Sequence, residues 1–66
     1  MNADEMFRNL GYEKSLNNRA VLGYTKPYVA LTFFKHKKCI DFASKFGMTI
    51  EELKAIYKKC EELGWM

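Results

Sequence analysis

The side chains with most chemistry to offer in this 66-residue chain are Cys39, Cys60, the single histidine His36, and the basic run Lys35-His36-Lys37-Lys38. His36 and Cys39 have a separation seen in metal sites, and Cys60 offers a third ligand. A structural zinc site takes four ligands in paired spacings, and those pairs are absent. Alternation along a strand also places Cys39 on the sheet face away from the helix that carries Cys60. No metal and no cofactor are therefore expected, and both cysteines read as buried free thiols in a reducing compartment. Acid–base or nucleophilic catalysis needs converging groups with tuned pKa values. His36 stands in a lysine-rich turn with no nucleophile paired to it, and a sheet of about three strands leaves little room for a ligand pocket. The expectation is a protein that is not an enzyme.

The basic run, with Phe34 beside it and Arg19, Lys26 and Lys45 elsewhere, is the candidate contact for nucleic acid. Cations next to an aromatic ring grip phosphates and stack a base. The simpler expectation is a solvated hairpin turn whose lysines discourage edge-to-edge strand pairing. A net charge of +3 is mild, and neither a glycine-rich phosphate loop nor helix-turn-helix spacing is present. Nucleic-acid binding through Lys35, His36, Lys37 and Lys38 is thus the alternative function.

The elements that must position these groups are legible from caps and periodicity. A first helix is predicted from Ala3 to Leu10, with Asn2 and Glu5 as a capping pair and Ala3, Met6, Phe7 and Leu10 as its buried face. A second is predicted from Ile50 to Leu63, capped by Thr49 and Glu52. Its apolar stripe is Ile50, Leu53, Ile56, Tyr57, Cys60 and Leu63, opposite Glu51, Lys54, Lys58, Lys59, Glu61 and Glu62. Leu10-Gly11-Tyr12 and Leu63-Gly64-Trp65 repeat one stop signal, with glycine at the left-handed position. Between the helices, Ala20–Thr25, Tyr28–Phe34 and Lys38–Ala43 read as strands joined by turns too short for anything but antiparallel hairpins.

Period-two alternation then gives an inner face of Leu22, Tyr24, Val29, Leu31, Phe33, Ile40 and Phe42, on which both helices are expected to pack. The outer face would carry Val21, Gly23, Thr25, Tyr28, Ala30, Thr32, Phe34, Cys39 and Asp41. It is poor in charge, and nothing in the chain is left to cover it. Tyr28, Ala30, Thr32, Phe34 and Cys39 are accordingly the predicted protein interface. The fold class is α+β in one domain spanning residues 1–66: a helix, a three-stranded antiparallel meander, and an amphipathic helix packed on one sheet face. So short a chain buries only about 60% of its unfolded surface and benefits from a partner, making a homodimer the expected state. No stretch approaches the roughly 20 apolar residues of a bilayer span, and the acidic start Met1-Asn2-Ala3-Asp4-Glu5 is unlike a signal peptide. A cytoplasmic protein without membrane attachment is expected.

The opening Ala3-Asp4-Glu5-Met6-Phe7 with Leu10-Gly11-Tyr12-Glu13 carries a resemblance. So does the ending, Thr49-Ile50-Glu51-Glu52-Leu53-Lys54-Ala55-Ile56 with Lys58-Lys59-Cys60-Glu61-Glu62-Leu63-Gly64-Trp65. In these the chain resembles a group of small accessory proteins from phages and prophages of Gram-positive bacteria. The resemblance supplies no catalytic or binding motif. It implies a protein made inside a bacterial cell that binds a host protein, such as a component of a defence system.

Overall fold

Capping chemistry sets the limits of both helices in the computed structural model, which describes residues 1–66. Helix α1 runs Ala3–Asn9 and helix α2 runs Ile50–Glu62. Ahead of α1, the Asn2 side chain accepts from the Glu5 N–H at 2.8 Å and the Glu5 carboxylate accepts from the Asn2 N–H at 3.2 Å. Thr49 and Glu52 repeat the arrangement ahead of α2, at 3.1 and 2.7 Å. Each box satisfies two donors that a helix start leaves without partners. The stops also match: Gly11 at φ 91° and Gly64 at φ 76° take the left-handed conformation. Behind them Tyr12 N–H donates to Phe7 O at 3.0 Å and Trp65 N–H donates to Cys60 O at 2.9 Å, the six-to-one bond of a Schellman ending. Both helices close slightly before the predicted Leu10 and Leu63.

Between them lies a four-stranded antiparallel sheet in the order β1-β2-β3-β4: β1 Glu13–Asn17, β2 Val21–Lys26, β3 Val29–Phe34 and β4 Cys39–Ser44. The predicted meander had three strands and lacked β1. This strand is exposed along its whole length, so it shows no apolar alternation; the ladder to β2 holds it. A bulge between Lys14 and Leu16 lies against Gly23, where an added Cβ would meet Ser15 Oγ at 3.2 Å and Leu16 Cβ at 3.4 Å. Glycine ordinarily weakens a strand, but here Gly23 is the residue that lets the bulged strand approach.

The other strands start or end about one residue from their predicted bounds. Tyr28 does not begin β3 but forms the β2–β3 turn with Pro27, at φ 67°. Proline presets the first turn position and the second must then be left-handed, as in a type II turn. Lys38 at φ 53° likewise belongs to the β3–β4 turn and not to β4.

Both helices pack on the inner face. Phe7 of α1 stacks on Tyr24 at 4.4 Å and meets Tyr12 and Phe33 edge-on, while Trp65 tilts against Phe33 at 6.1 Å. Ala3, Leu22, Val29, Leu31, Ala55, Ile56 and Cys60 complete the buried cluster, and Phe42 packs on its margin. Ile40, predicted for this face, is partly exposed on edge strand β4. No helix is long and apolar enough to cross a membrane.

Candidate functional site

The outer sheet face can be built rung by rung from the strand register. Thr25, Ala30 and Ala43 are aligned in one rung, Gly23, Thr32 and Asp41 in the next, and Val21, Phe34 and Cys39 in the last. Leu16 extends the middle rung onto β1 beside Gly23. Ala30, Thr32, Phe34 and Cys39 therefore share one surface, as predicted, with Asp41 at one edge and Glu13 at the other. Tyr28 does not join them. It sits exposed in its turn, edge-on to Phe46 at 6.0 Å with Lys45 Nζ 5.2 Å from its ring centre. Cys39 is exposed, contrary to the expectation that both thiols are buried, because β4 is an edge strand; Cys60 is buried under α2.

Helix α2 is rotated from its predicted setting. Its buried residues are Glu52, Ala55, Ile56, Lys59 and Cys60, an unbroken i, i+3, i+4, i+7, i+8 face. Glu52 and Lys59 are only 3% and 8% exposed. They go inside because α1 and the sheet supply partners. Glu52 accepts a hydrogen bond from the Tyr12 hydroxyl and pairs with Lys26 at 3.2 Å. Lys59 pairs with Asp4 and with Glu62, each at 3.2 Å. Asp4 also takes Lys14 at 2.8 Å and the Tyr24 hydroxyl at 2.5 Å, and Glu62 accepts the Ala3 N–H at 2.8 Å. No buried side-chain nitrogen or oxygen is left without a partner. Buried charges met in this way avoid most of the penalty of leaving water.

The network fixes protonation states. Burial pushes the Glu52 carboxyl up, but the Thr49 N–H, Tyr12 and Lys26 outweigh it and bring the pKa down to about 2. Asp4 follows the same balance: burial opposes ionisation, and Lys14, Tyr24 and Lys59 hold its carboxyl well below the usual range. Burial, reinforced by the carboxylates they face, drives both Tyr12 and Tyr24 far above an ordinary phenol. Two phenols on the core face were the sequence signal for this network, since a buried hydroxyl requires a partner.

Rotation has a second result. Ile50, Leu53 and Tyr57, predicted as core, are 62%, 50% and 52% exposed, and Phe46 and Met48 ahead of the helix stand out beside them. Phe46 is held where it projects by the Ser44 hydroxyl, which accepts its N–H at 3.0 Å. The result is an apolar ridge of Ile50, Leu53 and Tyr57 on the outward side of α2, where a charged surface was expected.

The basic run occupies the β3–β4 turn. His36, Lys37 and Lys38 are exposed, and Lys35 is half-buried because it reaches back to the β1–β2 turn. An open cleft of about 350 Å³ between α1 and β1 is lined by Asp4, Arg8, Tyr12, Lys14 and Tyr24. Its size exceeds what a small sheet was expected to offer. Asp4, Tyr12, Lys14 and Tyr24 are already committed to the hydrogen bonds described above.

Compared with protein-family models, curated proteins and solved structures, the chain matches none.

Proposed function

We propose that the protein works by binding other proteins, not by catalysis, and that it pairs with a second copy of itself through the outer sheet face. The observation that carries this is the face itself. Ala30, Thr32, Phe34 and Cys39 lie on neighbouring rungs, the carboxylates stand at the margins, and both helices pack on the opposite side. A chain of 66 residues stabilises itself most readily by burying a second surface, and a twofold pair is the commonest way to do so. In such a dimer the ridge of α2 points outward twice. A target protein contacting both ridges is held by avidity. The resemblance of the two helical ends to phage and prophage accessory proteins suggests a host protein, such as a defence component, as that target.

Sedimentation velocity tests the pairing. A concentration-dependent dimer at micromolar protein, lost in Thr32→Arg and Ala30→Glu while the fold persists, is the expected result. A monomer at every accessible concentration refutes it.

A further inference from the structure

The β1–β2 and β3–β4 turns are far apart in sequence but form one tip. Lys35 N–H donates to Ala20 O at 2.9 Å, and Lys35 Nζ donates to Asn18 O at 2.7 Å and to Asn17 Oδ1 at 3.4 Å. The first turn is itself braced: Asn18 Oδ1 accepts from the N–H groups of Ala20 at 2.8 Å and Val21 at 2.9 Å, an Asx turn. Knitting the turns together gathers Arg19, Lys35, Lys37 and Lys38, with His36, at one end of the sheet.

No carboxylate offsets them. Between Glu13 and Asp41 the chain contains no aspartate or glutamate. The other two cations of that stretch, Lys14 and Lys26, are paired with Asp4 and Glu52 under the helices, whereas none of the four tip cations is in an ion pair. The tip thus carries +4 in a molecule whose net charge is +3, leaving −1 for everything else. Positive charge is concentrated at one end of the molecule, and a field so arranged steers polyanions to that end.

From this convergence we propose that the tip is a binding site for the phosphodiester backbone of nucleic acid, a ligand beyond the protein partners argued above. Arg19, Lys37 and Lys38 contact phosphates, and Lys35 braces the two turns and adds its charge. Three contacting cations give modest, sequence-independent affinity, with a Kd on the order of 10 µM at low salt. A strand is a better fit than a membrane surface because interfacial anchoring draws on large apolar side chains among the basic ones. Residues 35–38 and 17–20 contain none.

Fluorescence anisotropy with a labelled single-stranded oligonucleotide, titrated from about 20 to 200 mM salt, tests this. The expected slope of log K against log salt is about −2 to −3, near −0.7 per phosphate neutralised plus the share from Lys35. The combined variant Arg19→Ala, Lys37→Ala, Lys38→Ala should lose at least about tenfold in affinity. A control removing the same charge elsewhere, Arg8→Ala, Lys45→Ala, Lys58→Ala, should bind within about twofold of the parent; like the tip residues, these three have no ion-pair partner. Equal losses in the two variants overturn the assignment, as does absence of binding at the lowest salt. Tighter capture by phosphatidylserine vesicles than by the oligonucleotide overturns it in favour of a lipid surface. Circular dichroism establishes that the variants fold. Their dimerisation should match the parent's, so failure here is separable from failure of the sheet interface.

Discussion

The Tyr12 hydroxyl donates to the Glu52 carboxylate across a sequence separation of 40 residues. Tyr12 is the residue that closes the ending of α1, and Glu52 completes the cap that opens α2. One hydrogen bond therefore couples the end of one helix to the start of the other. At the opposite end, Glu62 accepts the Ala3 N–H and Lys59 pairs with Asp4, so the helices run antiparallel with charges placed to suit their dipoles.

Removing the hydroxyl while keeping the ring isolates that coupling. Tyr12→Phe should destabilise the fold by about 1–3 kcal/mol, the cost of leaving a buried acceptor short of a donor. Glu52→Gln should cost at least as much, because Lys26 loses its counter-charge. Urea melts of the two single variants and the double variant should show coupling; strict additivity would mean the pair does not act as a unit.

Stability should fall on acidification. The folded-state pKa values of Glu52 and Asp4 are depressed, so their contribution is present above the unfolded values near 4 and is lost as pH drops through the folded ones. For Glu52, going from 4.5 to about 2 corresponds to on the order of 3 kcal/mol. Thermal melts should therefore be flat from about pH 8 to 5 and decline steeply between about pH 5 and 2. At the alkaline end the raised phenols of Tyr12 and Tyr24 favour the fold only while protonated, so stability should decline again above about pH 10, with their ionisation tied to unfolding.

The rotation of α2 separates two residues that a simple amphipathic pattern treats alike. Ile56→Ala empties a core position and should cost about 2–4 kcal/mol. Leu53→Ala, on the exposed ridge, should change stability by no more than about 0.5–1 kcal/mol. Similar losses in urea melts would return the helix to the orientation expected from its sequence. Leu53→Glu with Tyr57→Glu should spare the fold and weaken capture of the target protein.

The two thiols should react differently. Cys39 is exposed, while burial raises the Cys60 thiol pKa and shields it. In protein dilute enough to be monomeric, an aromatic disulfide reagent at neutral pH should therefore modify Cys39 rapidly and Cys60 at the rate of unfolding; two equally fast thiols would contradict the placement of Cys60.

Cap removal should give a modest loss. Thr49→Ala should lower stability by about 1 kcal/mol, read as a shift in the urea midpoint without a change in slope.

Local chemistry made much of this fold legible. Asn2, Glu5, Thr49 and Glu52 marked both helix starts, Gly11 and Gly64 both stops, and Leu22, Tyr24, Leu31 and Phe33 the inner face. Each of these signals acts within a few residues of the element it defines. What escaped depended on partners distant in sequence. β1 has no apolar face to display and is recognised only through β2. Glu52 read only as a capping residue and Lys59 as a solvent residue until Tyr12, Lys26 and Asp4 were placed beside them. Tyr28 read as strand because its aromatic ring favours strands, but Pro27 had already committed the pair to a turn. Arg19 was visible in the sequence, whereas its company at the tip depended on Lys35 reaching across to Asn18.

The pairing of Ala3 with Glu62 and of Asp4 with Lys59 carries a consequence for how the chain folds. These two of the contacts that seat α1 come from the far end of the sequence, 59 residues away in the first case. Loop-closure entropy must be met before such contacts contribute anything, so they belong late on the route to the native state. The hairpins β2–β3 and β3–β4, closed by short turns, are the natural nucleus. During synthesis α1 emerges first, and Asp4 finds Lys14 and Tyr24 early, but its pairing with Lys59 must wait until α2 has been made. The sheet can therefore form ahead of the helix pair, and the docking of α2 completes the core.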